Sequence, residues 1–183
     1  MNLITLDFET YYDVRLSLGK MSTAQYVQDE EFKVWGVGVK FNEDSTVWIP
    51  EDEVKEFLEQ IDWDDAALVC HNTLFDAYIL TQVFGVYAKY YYDTAAMSRG
   101  LFPNQSASLK HVCKRLFPDN PSMRKGEELV NAKGIRDLNP QLDEEIGGYC
   151  IQDVDLTYAL YNKMRHEFPQ SELDLMDLTV RMF

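Results

Sequence analysis

The chain has 183 residues, of which 46% are hydrophobic, and it carries a formal net charge of −14. This length and apolar content suit a single domain that buries its core without disulfide or zinc staples. No apolar run approaches the roughly 20 residues of a membrane span, and the N-terminus lacks a basic, apolar leader, so we expect a protein that is neither secreted nor embedded in a membrane.

The chain contains three cysteines, Cys70, Cys113 and Cys150. They are odd in number, lie far apart and form no C-x-x-C pair, so the sequence indicates neither a disulfide framework nor a thiolate zinc site. A reducing compartment fits this pattern. We therefore expect a cytoplasmic protein.

The negative charge is unevenly distributed along the chain. Residues 99–136 hold 8 basic and 3 acidic side chains, whereas the segments before and after them are strongly acidic. A basic segment in an acidic chain is typical of a surface that contacts phosphates, but a solvated helix face has the same composition. Charge alone leaves both interpretations open.

The first part of the chain shows the alternation of strands. Ile4, Leu6 and Phe8 fall on one face of the first of them, and acidic side chains fall on the other. A polar turn separates the next two strands, which predicts an antiparallel meander, and Pro50 marks the start of a helix. The predicted strands cover residues 3–9, 32–41 and 46–49, and the helix covers residues 51–60.

The rest of the chain alternates between one strand and longer helical patterns. A short apolar strand is predicted over residues 66–70, and helices over residues 73–84, 106–117, 142–168 and from 171 towards 183. A meander followed by alternating strands and helices predicts an α/β fold. Its central sheet should be mixed, antiparallel first and then parallel, with helices on both faces.

Carboxylates occupy positions in three of these elements where the local pattern calls for apolar side chains. Asp7 and Glu9 share one face of the first strand. Asp76 falls near the start of a helix, where a surface charge stabilised by the helix dipole is the competing interpretation. Asp153 lies on the apolar stripe of the long helix, and Tyr149 precedes it by one turn on the same face. Because burying unpaired carboxylates is costly, these positions predict compensating cations.

Four carboxylates from three separate clusters, with no histidine among them, suit hard divalent ions such as Mg²⁺ or Mn²⁺ rather than zinc. Two such ions stabilise both the attacking and the leaving oxygen of an in-line phosphoryl displacement. The natural substrate of such a site is a phosphodiester.

The three clusters resemble the three motifs of the DEDD superfamily of 3′-5′ exonucleases, which have a ribonuclease H-like fold. Residues 7–9 match D-x-E, residues 72–76 match N-x-x-F-D, and residues 149–153 match Y-x-x-x-D. The tyrosine subclass is indicated, because the histidine subclass has histidine at the position of Gly148. The whole chain also resembles the proofreading domain of bacteriophage-type family A DNA polymerases, on residues 7–11, 106–110, 125–129 and 178–183.

The resemblance implies a role for each motif residue. Asp7 would bridge two divalent ions, Mg²⁺ or Mn²⁺. Glu9 and Asp153 would complete the first ion site, and Asp76 would hold the second. Tyr149 would orient the water that attacks the terminal phosphorus, so that a nucleoside 5′-monophosphate leaves from the 3′ end.

The resemblance also implies contacts to the 3′ end of a single strand of DNA. Thr10, through its backbone, and Asn72 would position the end of the strand. Tyr11, or its neighbour Tyr12, is a candidate for stacking on a frayed base. Lys110 and Lys125, from the basic segment, would receive backbone phosphates.

We therefore expect an exonuclease domain over residues 1–168, and a helix over residues 169–183 that begins the connection to a polymerase domain. The expected function is proofreading, by removal of nucleoside 5′-monophosphates from DNA 3′ ends, with a DNA polymerase as partner in cis or in trans. A 3′-5′ exoribonuclease remains an alternative, because the motifs do not separate DNA from RNA. A non-catalytic module that binds nucleic acid or a polymerase is the third interpretation.

Overall fold

A five-stranded mixed sheet forms the centre of the protein, which we describe from a computed structural model over residues 1–125 and 132–182. The strands are β1 (Asn2–Thr10), β2 (Val34–Phe41), β3 (Val47–Pro50), β4 (Ala66–Cys70) and β5 (Tyr90–Asp93). Their order across the sheet is β3-β2-β1-β4-β5. The first three strands are antiparallel to one another, while β4 is parallel to both β1 and β5. The predicted α/β fold, a meander followed by parallel strands, is confirmed.

Helices cover both faces of this sheet. In chain order they are α1 (Thr23–Val27), α2 (Val54–Glu59), α3 (Thr73–Gln82), α4 (Thr94–Leu101), α5 (Leu109–Leu116), α6 (Pro140–Met164) and α7 (Gln170–Val180). The sequence patterns predict five of these helices but miss α1 and α4, as well as β5, because the residues of these three elements do not show a clear apolar period. None of the helices in the described part of the chain combines the length and apolar character that a bilayer crossing requires.

The two faces of β1 pack against different layers. Ile4, Leu6 and Phe8 are buried in the larger apolar cluster, which α3 shares. On the opposite face, the thiol of Cys150 in α6 donates a hydrogen bond to the carbonyl of Asp7. The alternation of β1 therefore places its acidic side chains beneath α6, as the strand pattern predicts.

Helix α7 closes the open edge of the sheet at β5. The backbone N–H of Tyr91 donates to Asp177 Oδ1 at 2.9 Å, and the guanidinium of Arg181 donates to the carbonyl of Lys89 at 2.7 Å. These contacts satisfy backbone groups that an edge strand otherwise exposes. The helix is thus packed onto the same body as the sheet, and its expected role as a connection to a further domain stays a prediction.

Candidate active site and metal centre

The first two carboxylates of the site come from the end of β1. Asp7 and Glu9 are half-buried and lie on the same face of the strand, while Phe8 between them is in the core. Asp7 pairs with Gly38 across the sheet, and Glu9 pairs with Gly36. Because neither partner has a side chain, Cys150 and Val154 of α6 pack closely over Gly38, and the indole of Trp48 packs over Gly36.

Asp76 reaches this strand from α3. The side chain is only 1% exposed, and its Oδ1 accepts the backbone N–H of Phe8 at 3.0 Å. The carboxylate is therefore attached to the strand between Asp7 and Glu9. This geometry excludes the alternative of an exposed helix-dipole charge.

Helix α6 brings in the third element of the site. Tyr149 and Asp153 lie one turn apart and line the same cavity as Asp7 and Glu9, which has a volume of about 390 Å³. Asp153 is 5% exposed, so it is a buried charge on the apolar stripe of the helix, as the sequence predicts. The cavity is also lined by residues from β1, the loop after it, α1, β2, α3 and α6, namely Thr10, Tyr12, Ser17, Leu18, Tyr26, Trp35, Phe75 and Ile146.

The carboxylates repel one another in this buried setting. Burial, followed by the charge of Asp153, raises the pKa of Asp7 from its ordinary 3.8 to about 7. Burial and the charge of Asp7 raise the pKa of Glu9 well above 4.5, and the same two causes raise the pKa of Asp76 well above 3.8. Groups that are this unfavourable in their ionised form indicate a site that a cation stabilises.

Lys125 supplies one cation from within the chain. Its Nζ lies 2.6 Å from Asp153 Oδ2 and 5.2 Å from the centre of the Tyr149 ring. Burial acts to lower the pKa of Lys125, but the charge and hydrogen bond of Asp153 outweigh it and raise that pKa. The lysine thus stays protonated and lowers the pKa of Asp7 and Glu9 as well. Residues 126–129 of the motif that Lys125 begins lie outside the described residues, as does Phe183.

Cys150 is a site residue that the sequence analysis did not assign. Its Sγ lies 3.2 Å from the carbonyl oxygen of Asp7 and 3.8 Å from Oδ2 of the same residue. Burial and the charge of Asp7 raise the pKa of Cys150 well above 9.0, so the thiol stays protonated and donates hydrogen bonds. Its position beside Tyr149 in the motif is the only signal in the sequence that could have pointed to it.

The donor atoms fit divalent metal ions. Ligand atoms of Asp7, Glu9 and Cys150 lie within 4.8 Å of one another, and Asp153 faces the same cavity. Because the thiol is held protonated, the available donors are carboxylate oxygens, which hard ions such as Mg²⁺ and Mn²⁺ prefer. A bound cation would also relieve the repulsion that raises the carboxylate pKa values.

The structure places the other predicted substrate contacts at different distances from this cavity. Thr10 lines it, and its hydroxyl pairs with that of Tyr26 at 2.8 Å. Tyr11 is 8% exposed, packs edge-on against Trp35 and does not line the cavity, whereas its neighbour Tyr12 does. Of these two tyrosines, Tyr12 is therefore the candidate for stacking on a frayed base.

Asn72 and Lys110 lie outside the carboxylate cavity. Asn72 is exposed in a left-handed conformation, with a φ of 74°, and lines a neighbouring groove together with Asp93 and Arg99. Lys110 lines a second groove, which shares Lys125 with the carboxylate cavity. Motif spacing alone does not distinguish these neighbouring surfaces from the cavity itself.

The family model for 3′-5′ exonucleases matches residues 38–169, which include Asp76, Tyr149 and Asp153. The match covers more than half of the chain. The chain belongs to this 3′-5′ exonuclease family. Asp7 and Glu9 precede the matched residues, but the structure joins them to the same cavity. Exonucleases of this DEDD superfamily use divalent metal ions, in agreement with the donor set.

Solved structures support the fold at low sequence identity. NrnC from Brucella melitensis, solved with bound Mg²⁺, has a TM-score of 0.65 and 14% identity over 98% of this chain and 80% of its own. RNase D from Trypanosoma brucei has a TM-score of 0.64 and 14% identity over 88% of this chain and 57% of its own. The family B DNA polymerase of Pyrobaculum calidifontis has a TM-score of 0.63 and 17% identity over 90% of this chain and 24% of its own. No curated protein sequence matches the chain.

Proposed function

We propose that this exonuclease removes nucleoside 5′-monophosphates from the 3′ ends of DNA and that it proofreads for a DNA polymerase, in cis or in trans. The observation that carries the proposal is the convergence of Asp7, Glu9 and Asp153 with Tyr149 on one cavity, with Asp76 attached to the strand behind them. Three elements that are distant in sequence thus supply the complete set of groups that the exonuclease motifs require.

In this proposal the four carboxylates, Asp7, Glu9, Asp76 and Asp153, hold two divalent ions. Bound divalent cations supply Lewis-acid stabilisation of the charge that develops on the phosphate oxygens. Thr10, through its backbone, and Asn72 would orient the strand end, as the exonuclease motifs imply.

Tyr149 orients the attacking water from the α6 side of the cavity. The water oxygen forms a bond to the terminal phosphorus, and the bond from that phosphorus to the 3′ oxygen of the preceding nucleotide breaks. A nucleoside 5′-monophosphate leaves, and the shortened strand keeps a 3′-hydroxyl. Lys125, 2.6 Å from Asp153, provides positive charge beside the reacting phosphate.

A 5′-labelled single-stranded DNA tests this function directly. With Mg²⁺ or Mn²⁺ we expect a ladder that shortens from the 3′ end and releases mononucleotides, and we expect no products in excess EDTA. Removal of a mismatched 3′ terminus should be faster than removal of a paired one, because the end must fray to reach the cavity. A matched RNA strand decides the substrate: preferential trimming of RNA would replace the proofreading proposal with an exoribonuclease.

The non-catalytic alternative makes a separate prediction. A module that only binds nucleic acid or a polymerase would retain labelled DNA without shortening it under any divalent ion. Intact DNA after prolonged incubation with Mn²⁺, in a sample that binds Mn²⁺, would support that alternative and contradict the proposed activity.

A further inference from the structure

The groove next to the carboxylate cavity has a composition that differs from the rest of the surface. It has a volume of about 410 Å³ and is lined by Lys110, Lys114, Phe117, Pro118, Arg124 and Lys125. In a chain whose net charge is −14, this groove has four basic side chains and no acidic one among its lining residues. The local electrostatic potential of the groove is therefore more positive than that of the chain as a whole, which favours binding of a polyanion there.

Two of the positive charges of this basic groove, those of Lys110 and Lys114, are not used to hold the protein together, whereas Lys125 pairs with Asp153. Lys110 and Lys114 project from one face of α5, while Leu109 and Val112 bury the opposite face. Within the described residues, neither lysine forms an ion pair or a hydrogen bond. Arg115, on the same helix, differs from them because its guanidinium has partners within the protein. It donates to the Ser106 carbonyl at 3.1 Å and lies over the ring of Phe102. The two lysines are thus free to meet an external anion.

The basic groove continues directly from the active site. Lys125 lines both cavities, and its Nζ contacts Asp153. Lys110 and Lys114 are four residues apart, so they follow each other along the groove by about one helical turn, roughly 6 Å. Phe117 lies among them and offers an aromatic surface on which a base can stack, as in many single-strand binding sites.

We propose that the basic groove binds the phosphates on the 5′ side of the scissile linkage, so that this exonuclease selects single strands of several nucleotides over dinucleotides. This inference rests on the proposed function, since the 3′ terminus must lie at the carboxylates. A dinucleoside monophosphate has a single phosphate, which is the one cut, so it leaves nothing for the groove to bind. A longer strand places further phosphates beyond Lys125. One of the similar structures, NrnC, was solved with the dinucleotide pGG, which makes dinucleotides the informative comparison.

The experiment compares kcat/KM for single-stranded DNA from the dinucleoside monophosphate to the octamer at low ionic strength. We expect kcat/KM to rise with length on the order of tenfold or more and then to level off once the groove is filled. In the double variant Lys110→Gln/Lys114→Gln, most of this gain should be lost. Lys110→Arg/Lys114→Arg should restore it, because phosphate binding needs the charge.

A matched control removes two charges elsewhere. Lys55→Gln/Lys163→Gln changes exposed lysines of α2 and α6 that do not line either cavity, and it should keep the dependence on length. Octamer binding to Asp153→Asn protein, followed by anisotropy against KCl, gives a second readout. The slope of log K against log salt should decrease by about 1.4 in the groove variant, at roughly 0.7 per phosphate contact.

The outcomes separate the two proposals. If the unmodified protein cuts no DNA or RNA of any length, the proposed function fails. If it cuts dinucleotides and octamers with equal efficiency, or if the groove variant behaves like the Lys55/Lys163 control, the proposed function stands and the basic groove is only a solvated surface.

Discussion

Gly38 of β2 lies directly beneath Cys150 of α6, so closely that a Cβ atom on Gly38 would come within 2.8 Å of the Cys150 sulfur. It would also come within 3.0 Å of the Val154 side chain. Gly38 pairs with Asp7 across the sheet, so the missing side chain allows α6 to pack on the sheet at the level of Asp7, the first of the proposed catalytic carboxylates. The depth at which α6 lies decides whether Asp153 can share a cavity with Asp7.

Gly38→Ala is therefore expected to lower both stability and activity. A methyl group in a strand normally favours folding relative to glycine, so destabilisation here would report the clash, at about 1 to 3 kcal/mol. Because α6 must shift outward, kcat should fall more than the loss of folded protein explains. Gly148→Ala is the matched control, since it adds the same methyl to α6 where no atom lies within 4 Å. Thermal unfolding and single-turnover hydrolysis of both variants test this; unchanged activity in Gly38→Ala would show that the close packing is not needed for the site.

Asp7→Asn and Asp153→Asn should each reduce nuclease activity by orders of magnitude while preserving the fold. Each change removes a proposed metal ligand, but it also removes a charge that repels its neighbours in the metal-free protein. The melting temperature in EDTA should stay the same or rise, except that Asp153→Asn also loses its ion pair with Lys125. Release of mononucleotides and thermal unfolding measure the two effects. Asp64→Asn, an exposed change far from the cavity, serves as the control, and full activity in Asp7→Asn would contradict the site.

Tyr149→Phe should slow hydrolysis on the order of 10²-fold without weakening metal binding. The change removes the hydroxyl that we propose to orient water but keeps the ring over which Lys125 lies at 5.2 Å. Mn²⁺ titration by calorimetry and single-turnover rates give the two readouts separately. A loss of Mn²⁺ affinity with an unchanged rate at saturating metal would instead make the tyrosine a metal-site residue.

The stability of the metal-free protein should fall as the pH rises. Asp7 keeps its proton up to about pH 7 in the folded protein but only to about pH 3.8 when unfolded, so the folded state binds more protons over this interval. The free energy of unfolding therefore decreases between these pH values, and the raised pKa values of Glu9 and Asp76 act in the same direction. In EDTA, the melting temperature should be higher near pH 5 than near pH 7.5. Saturating Mn²⁺ should remove this decrease in melting temperature, and Asp7→Asn should reduce it. A melting temperature that rises from pH 5 to pH 7.5 in EDTA would contradict the raised pKa of Asp7.

Local sequence patterns are sufficient to predict which residues are candidates for the chemistry. Strand alternation places Asp7 and Glu9 on one face, and the helical period places Tyr149 one turn before Asp153, because both periods are properties of the local backbone. These local rules, with the motif spacing, were sufficient to predict the mixed sheet and the carboxylate set. They could not predict β5 or α1, whose few residues show no clear period.

Only the tertiary structure decided how these residues meet. The hydrogen bond from the Phe8 amide to Asp76, the ion pair between Lys125 and Asp153, and the thiol of Cys150 beside Asp7 each join atoms that are at least 28 residues apart. The same is true of the basic groove, where α5 and the segment around Arg124 place their charges beside the cavity. Such contacts depend on how closely α6 and α5 pack on the sheet. That distance is set by side-chain volumes from several elements at once, among them the missing side chain of Gly38, and no local pattern in the sequence encodes it.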